Sequence, residues 1–278
     1  MNTGSDKLAV FVIFLALLSS GLSAHTMRRE IILREPAGSL ESFSLRNRIG
    51  SVETEVWDRD SIVVKARLKI RAPSKSEAEE LLGETELGFS RNRGTLIFDP
   101  KLPTLKQYGI FSYTGTVRSS LSINCTVKVP IGLDIDIEVV SGDIILAKAE
   151  NSYKLVTERG DITVDGPGQS AGAIRVGRGN INCRIYGSGW AGRLSAECGT
   201  GDVRVLFPES SDLVLELYSV RGGVNFQFED IEPDLRRKNS VMAVFGVGKG
   251  RITLGSFRGE VTAGDIIREH DKTETGEW

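Results

Sequence analysis

Ser141-Gly142-Asp143-Ile144 is the first of four closely related segments in the second half of the chain. The other three are Arg159-Gly160-Asp161-Ile162, Arg178-Gly179-Asn180-Ile181 and Gly201-Asp202-Val203. Weaker copies follow at Gly222-Gly223-Val224, Gly250-Arg251-Ile252 and Gly259-Glu260-Val261. The turn glycines of the first four copies lie 18 to 22 residues apart, a period typical of repeat architectures. A repeated turn predicts a fold more directly than an activity, since catalysis usually depends on a few residues that occur once.

Apolar or small residues recur at fixed positions around each turn glycine, five and three residues before it and two and four residues after it. These residues are Ile137, Val139, Ile144, Leu146, Leu155, Thr157, Ile162, Val164, Ile174, Val176, Ile181, Cys183, Ala196, Cys198, Val203 and Val205. Because side chains alternate along a strand, the change of parity at the glycine directs both flanking strands toward one interior. The glycine therefore marks a corner, and stacked coils of this kind form a β-solenoid. In such a stack Asp136 would lie beside Lys154, and Arg175 would lie beside Glu197, both pairs of opposite charge.

The composition of the 278-residue chain fits many short strands joined by tight turns. Hydrophobic residues make up 40% of it, which is enough for a sizeable core, and its 31 glycines exceed average usage. The formal net charge of −2 gives no electrostatic argument for binding nucleic acid or an anionic lipid surface. We therefore expect no nucleic-acid partner.

The N-terminus has the pattern of an export signal. Lys7 supplies a positive charge, residues 8–18 are continuously apolar, and the small residues from Ser19 to Ala24 suit a cleavage site. The apolar run is short for a membrane span, and a retained anchor is the alternative. We predict an exported protein that is periplasmic, on the cell surface or secreted, with membrane contact only if the N-terminal segment is retained.

The chain divides into four segments by its pattern. They are residues 1–24, the signal peptide or membrane anchor; residues 30–130, an N-terminal β region; residues 131–267, the solenoid repeats; and residues 268–278, a polar tail. The N-terminal β region contains an early copy of the turn, Ile49-Gly50-Ser51-Val52. It also contains one predicted helix, where Ser74 and Glu77 have the spacing of a capping box. The apolar face of this helix consists of Ala78, Leu81 and Leu82.

The order and spacing of these features are similar to those of a known family. The early Gly50-Ser51-Val52, the helix, the approach Val127-Lys128-Val129-Pro130 and the Gly-Asp-Ile/Val turns occur in that order. Over residues 30–264 the chain resembles the bacterial envelope proteins called "putative adhesins", or the toastrack domain, a domain of unknown function. The resemblance implies an all-β fold, a right-handed single-stranded β-helix with one short helix in its N-terminal part, and in some members a link to envelope-stress systems. Departures are the broken spacing between Gly222 and Gly250 and the long loop near Tyr113.

Asp143, Asp161, Asn180 and Asp202 follow the turn glycines and form one column if the coils stack. Stacked carboxylates could bind Ca²⁺, which takes six to eight oxygen ligands. The spacing lacks the dense Gly-Gly-x-Gly-x-Asp pattern of calcium-binding β-rolls. We assign the column to turn formation, with each Asp or Asn hydrogen-bonding the backbone of its own turn, and expect no metal.

Asp134, Asp136 and Glu138 place three carboxylates on one face of a strand, about 7 Å apart. Carboxylates separated by about 5 to 9.5 Å can hydrolyse glycosides, so a polysaccharide lyase or hydrolase is an alternative. Alternating acids on an exposed strand face are more often only solvated. His25 and His270 are the only histidines and lie near the two ends of the chain, which disfavours a hydrolase with a histidine base. We therefore predict a protein that is not an enzyme, with no catalytic residues and no cofactor.

Three cysteines, Cys125, Cys183 and Cys198, occupy apolar positions of their strands, and at least one of them must be unpaired. We interpret them as buried thiols, with a bridge between Cys183 and Cys198 left open.

The best unrepeated feature is a loop over residues 99–120 that carries Tyr108, Phe111 and Tyr113. These aromatics could bind a glycan or a partner protein, or they could cover one end of the stack. We take them as the candidate binding residues. The predicted function is a non-enzymatic binding or scaffold module at the cell envelope, which contacts a glycan or protein of the envelope or surface. The alternatives are an envelope-stress module that contacts a membrane partner and the polysaccharide-cleaving enzyme.

Overall fold

A computed structural model of the protein describes residues 11–14, 25–103, 119–167 and 171–266. This described part contains 22 strands and one helix. In chain order they are β1 (Phe11–Phe14), β2 (His25–Pro36), β3 (Ser42–Ile49), β4 (Val52–Trp57), β5 (Ser61–Ala72), α1 (Lys75–Gly83), β6 (Phe89–Asn92), β7 (Thr95–Phe98), β8 (Ser120–Pro130), β9 (Asp134–Ser141), β10 (Ile144–Ala147), β11 (Tyr153–Arg159), β12 (Ile162–Gly166), β13 (Ala171–Arg178), β14 (Ile181–Ile185), β15 (Arg193–Thr200), β16 (Val203–Phe207), β17 (Leu213–Arg221), β18 (Val224–Gln227), β19 (Leu235–Arg237), β20 (Ser240–Phe245), β21 (Gly250–Arg258) and β22 (Val261–Asp265).

The strands form two sheets of 11 strands each. The first sheet has the order β1-β2-β5-β8-β4-β10-β12-β14-β16-β22-β18, and the second has the order β19-β20-β17-β21-β15-β13-β11-β9-β3-β7-β6. From β9 to β16 the chain alternates between the sheets, and each of these strands pairs in parallel with its neighbours on both sides. We call a strand of the second sheet, together with the strand of the first sheet that follows it across a glycine turn, a coil. The all-β prediction with one short helix is confirmed for the described residues.

The register of the coils matches the one expected from the charge pattern. Lys154 is aligned with Asp136, and its Nζ lies 3.4 Å from Asp136 Oδ1. Arg175 is aligned with Glu197, and the guanidinium lies 3.3 Å from the carboxylate. Exposed ion pairs of this kind contribute only about 0 to 1 kcal/mol each. They therefore report the register of the strands and do little to hold the stack together.

The core lies between the two sheets and extends along the whole stack. All sixteen positions predicted to point inward are buried, including Thr157. At the end near β18 the core contains a cluster of four aromatic rings, those of Phe207, Phe226, Phe228 and Phe245. The ring centroids of Phe228 and Phe245 lie 4.9 Å apart. Since burial of one large apolar side chain contributes about 1.5 to 3 kcal/mol, this continuous core is the main source of stability.

The predicted helix forms where the capping residues place it. Ser74 Oγ accepts a hydrogen bond from the backbone N–H of Glu77 at 3.2 Å, which satisfies one free donor at the helix start. The Glu77 carboxylate accepts a hydrogen bond from Ser119 Oγ at 2.5 Å and so connects the helix start to the residue before β8. The buried face packs on β2 and β5 and consists of Ala78, Leu81 and Leu82, as predicted.

The spatial order of the coils differs from their order along the chain at both ends of the stack. At one end, β3 and β4 lie between the β9–β10 coil and the strands β7 and β8. At the other end, the β21–β22 coil is inserted between β15–β16 and β17–β18, with parallel pairing on both sides. The β3–β4 coil therefore lies between strands that follow it in the chain, whereas the β21–β22 coil lies between two coils that precede it.

One of the weaker turn copies was misassigned. Gly250-Arg251-Ile252 is the beginning of β21 and not a corner between two strands. Gly250 is buried there and packs closely on the neighbouring backbone, since a Cβ at this position would lie 2.6 Å from the Ala191 carbonyl carbon. The segments at Gly222 and Gly259 do form corners, between β17 and β18 and between β21 and β22.

Candidate functional site

The repeated glycines line one edge of the stack, and each lies directly against the glycine of the neighbouring coil. A Cβ on Gly142, Gly160, Gly179, Gly201 or Gly259 would lie 2.5 to 2.7 Å from the carbonyl carbon of the adjacent glycine. At Gly179 the backbone φ is also +141°, a conformation that L side chains rarely adopt. Each corner therefore requires glycine for two reasons, the backbone conformation and the close approach of the next coil.

The polar residue after each glycine also serves the stack, but not in the way expected. Asp143 Oδ1 accepts a hydrogen bond from the backbone N–H of Asp161 at 2.9 Å, and Asp161 Oδ1 accepts one from Asn180 at 2.7 Å. Asn180 Oδ1 and Asp202 Oδ1 continue the series at 3.0 and 2.8 Å. The prediction that each side chain bonds to its own turn is wrong, because the acceptor reaches the next coil. The column therefore has a structural role, and one side-chain oxygen of each of its residues accepts a hydrogen bond from a backbone donor of the next coil.

A second polar series lies on the inner side of the same edge. Thr157 Oγ1 donates to Gly142 O at 3.1 Å, Cys198 Sγ donates to Gly179 O at 3.1 Å, and Ser256 Oγ donates to Gly201 O at 2.8 Å. Each donor lies three residues before its own turn glycine and reaches the glycine carbonyl of the adjacent coil. These partly buried carbonyls at the corners thus obtain partners within the protein, and a hydrogen bond of this kind contributes about 0.5 to 1.5 kcal/mol.

The three carboxylates of β9 lie on the outer face of the second sheet, and two of them, Asp136 and Glu138, pair with Lys154. Lys154 Nζ lies 2.9 Å from Glu138 Oε1 and 3.4 Å from Asp136 Oδ1. The hydrogen bond from Lys154 lowers the pKa of Glu138 below its ordinary value, and Arg46 adds to the effect. A carboxyl group that acts as a general acid needs a raised pKa, and the lowered pKa of Glu138 does not suit that role. Asp134 is exposed at the start of the strand.

The cysteines are free and buried, as the residue pattern predicted. Cys183 lies on β14 in the first sheet and Cys198 on β15 in the second, and no bridge joins them. Burial raises the pKa of Cys125 to about 12 and that of Cys198 to about 11. Thiols of this kind are inert at neutral pH and act as small apolar side chains. Within the described ranges, no group of three or more His, Cys, Asp or Glu side chains could hold a metal ion.

The clearest candidate site among the described residues is a groove on the outer face of the second sheet, near its β17 end. We call it the aromatic groove, and its volume is about 530 Å³. Its apolar wall consists of Tyr218, Val220 and Phe257, whose exposed fractions are 39%, 53% and 48%. Its floor is partly bare backbone, because Gly177 and Gly199 carry no side chain there. Its other lining residues are Val156, Thr157, Glu158, Arg175, Val176, Glu197, Cys198, Gly255 and Ser256.

The two aromatic rings of the groove are held by their neighbours. The Tyr218 ring covers Gly255, where a Cβ would lie 2.5 Å from Tyr218 Cε2. The Phe257 ring centroid lies 5.5 Å from the guanidinium carbon of Arg221 and 5.9 Å from that of Arg258. Such cation–π contacts contribute about 0.5 to 1 kcal/mol at exposed sites, so they orient the ring at low cost. The groove therefore offers a positioned apolar surface with cations beside it and the Arg175–Glu197 ion pair within it.

The predicted binding residues Tyr108, Phe111 and Tyr113 lie outside the described residues. Sequence reasoning missed the aromatic groove, although its signal was present. Tyr218 and Val220 occupy outward positions of β17. The outward positions of the earlier strand β9 are mostly polar, and Glu138 is one of them. An outward apolar residue in an otherwise strict alternation is the pattern that would have identified the site.

These features define a class of all-β proteins built from stacked coils joined at glycine corners. The profile of the Toastrack family, DUF4097, matches residues 9–263, and the chain belongs to this family. No curated protein matches it. In the described part of the chain, no helix has the length and hydrophobicity required to span a bilayer.

The solved structures that are similar to the chain include three bacterial proteins. A "putative cell adhesion protein" from Clostridium sporogenes shares 12% identity, covers 86% of this chain and 99% of its own, and has a TM-score of 0.47. A "putative adhesin" from Bacteroides fragilis shares 12% identity over 85% and 97% of the two chains, with a TM-score of 0.28. A "putative adhesin" from Parabacteroides merdae shares 11% identity over 95% and 98%, with a TM-score of 0.20.

Proposed function

We propose that this protein is an exported, non-enzymatic binding module of the cell envelope and that the aromatic groove contacts its ligand, a glycan or protein of the surface. The observation that supports this proposal is the pair of exposed aromatic side chains, Tyr218 and Phe257, fixed on the outer face of a rigid sheet. Aromatic and arginine side chains dominate the energetics of many binding surfaces. They combine a large apolar area with a polar edge and lose little conformational entropy on binding.

The stacked coils suit this role because they present the groove without flexible elements. The groove is lined by strands of five adjacent coils, β11, β13, β15, β21 and β17, each hydrogen-bonded to the next. A binding surface on strands is better ordered than one on loops, so less free energy is lost on association. We further propose that the coils form a right-handed single-stranded β-helix and that residues 1–24 direct export.

The proposal is tested with fluorescently labelled full-length protein and fixed bacterial cells of the producing species. We expect saturable binding that Phe257→Ala weakens by at least about 10-fold, because truncation of a central aromatic at a binding surface costs about 2 kcal/mol. Periodate treatment of the cells removes glycan diols, and protease treatment removes surface proteins. The treatment that abolishes binding identifies the ligand class.

Tyr186→Ala is the matched control, because Tyr186 is also an aromatic with 44% exposure but directly follows β14 of the first sheet and lies outside the groove. It should bind as the parent protein does. Equal weakening by Phe257→Ala and Tyr186→Ala, or unchanged binding by Phe257→Ala, would contradict the assignment of the groove. Tyr108, Phe111 and Tyr113 remain a separate proposal for ligand contact. Their joint replacement by alanine, in the same assay, measures that contribution independently.

A further inference from the structure

One face of the molecule carries a concentration of positive charge that the net charge of the chain conceals. It is the outer face of β2, β5 and β8, at the opposite end of the stack from β18. We call it the cationic face. Its basic residues are Arg28, Arg34, Lys65, Arg67, Lys69, Arg71 and Lys128, and its carboxylate is Glu30.

The pairing of the three strands places these side chains on one side of the sheet. Arg28 is directly aligned with Lys69, and Arg67 is aligned with Glu30 on one side and Asn124 on the other. Outward residues of one strand lie about 7 Å apart, and neighbouring strands about 4.8 Å apart. The charges therefore form a dense, flat array and not a line along one strand.

Only part of this charge is neutralised within the protein. Glu30 accepts from Lys65 at 2.9 Å and from Arg67 at 3.0 Å, and these contacts lower its pKa. Lys128 lies 3.3 Å from Glu55 on the adjacent strand β4. Among the described residues, the remaining four cations form no ion pair. They are Arg28, Arg34, Lys69 and Arg71, and all four are exposed.

The cationic face also has the polar and apolar groups that suit a lipid surface. A shallow depression of about 470 Å³ lies between Arg28, Arg67 and Lys69, and Ser122 and Asn124 line it with polar side chains that can donate hydrogen bonds. Ile32, with 37% exposure, lies on the same face, two residues from Glu30. A cationic surface with an apolar residue within it has the composition of elements that bind the interface of anionic bilayers.

The position of the face in the chain favours a membrane over a soluble polyanion. β2 directly follows the apolar N-terminal segment, and β1, from within that segment, pairs antiparallel with β2. β1 and the cationic face therefore meet at the same edge of the first sheet. We propose that the cationic face docks on a membrane surface rich in anionic phospholipid, with headgroup phosphates against Arg28, Lys69 and Arg71.

The test measures how the full-length protein partitions onto vesicles of phosphatidylglycerol and phosphatidylcholine (1:1) and onto vesicles of phosphatidylcholine alone. The ratio of the two partition coefficients isolates the charge-dependent part, since the apolar N-terminus is the same in both. The variant carries Arg28→Gln, Lys69→Gln and Arg71→Gln. We expect it to lower the ratio by about fivefold for each cation removed, on the order of 100-fold for three.

The matched control carries Arg159→Gln, Arg178→Gln and Arg193→Gln, which remove the same charge from exposed positions outside the cationic face. It should change the ratio by less than about threefold, and circular dichroism should show both variants folded. Equal loss in the two triple variants, or a parent ratio near one, overturns the proposal. Tight binding to dextran sulfate without preference for the anionic vesicles also overturns it, in favour of a polysaccharide. The aromatic groove is unaffected by any of these outcomes.

Discussion

Replacement of Gly179 by alanine tests the close packing of the glycine corners. Gly179 lies in the middle of the stack, between Gly160 and Gly201. A Cβ at this position would lie 2.6 Å from the Gly160 carbonyl carbon, whereas ordinary contact begins near 3.4 Å. The two coils would therefore have to move apart locally, since the clashing atoms belong to backbone and cannot rotate away.

The expected destabilisation has two parts. Separation by this amount stretches the hydrogen bonds from Gly160 N to Arg178 O (3.0 Å) and from Ile162 N to Asn180 O (2.9 Å) beyond useful range. Their loss costs about 1 kcal/mol each. The φ of +141° at Gly179 adds about 1 to 3 kcal/mol of backbone strain for alanine. We expect a total of about 3 to 5 kcal/mol, a large fraction of the 5 to 15 kcal/mol typical of a folded protein.

Urea denaturation followed by circular dichroism measures this free energy of unfolding. Gly187→Ala is the matched control, because Gly187 has a φ of +107° but no atom within 4 Å of the added Cβ. It carries the backbone strain without the clash, so it should cost about 2 kcal/mol less than Gly179→Ala. Equal costs for the two variants would refute the close-packing argument.

Two further predictions concern the same edge of the stack and the pairs on its outer face. Val176 occupies in its own coil the position that Thr157 and Cys198 occupy in theirs. The hydroxyl introduced by Val176→Thr should therefore donate to Gly160 O, and urea denaturation should show the protein stabilised by about 0.5 to 1 kcal/mol. The control Val164→Thr, in the first sheet, should destabilise the protein. The pKa of Glu138 is lowered in the folded protein, so its stabilisation is complete above its ordinary value of 4.5 and is lost as the pH falls through the lowered folded-state pKa. Glu138→Gln should therefore reduce the loss of stability between pH 7 and pH 3, and an identical pH profile in the variant would contradict this reasoning.

The repeat unit could be predicted because its determinants are local. The parity change at Gly160 and the apolar positions around it specify a corner and an inward face, whatever the rest of the chain does. Ser74 and Glu77 likewise determine the start of α1 within a few residues. The register followed from aligning the coils on the turn glycine, and the opposite charges of Asp136 and Lys154, which are neighbours only if the coils stack in sequence, agreed with it.

The spatial order of the coils could not be predicted in the same way. Nothing near Gly250 distinguishes a strand that continues the stack from one that is inserted into it, because both need the same alternation. Hydrogen-bond partners of Asp143 depend on the distance to the next coil, which no single turn encodes. Both candidate surfaces also escaped notice, since Tyr218 and Phe257 are far apart in sequence and Arg28 and Lys69 meet only through strand pairing.

The insertion of β21–β22 between two coils that precede it in the chain affects how the protein can fold during synthesis. Coils β9 to β16 can add one after another as they emerge, since each docks on its predecessor. The β17–β18 coil cannot do so, because its native parallel neighbour is β21–β22, which is synthesised after it. Until then, β17 faces an exposed edge of β15 with a compatible parallel pattern, and premature docking there would have to be reversed. The docking of β21–β22 is therefore a non-local step, and it requires the site beside β15 to stay open until residue 265 has been synthesised.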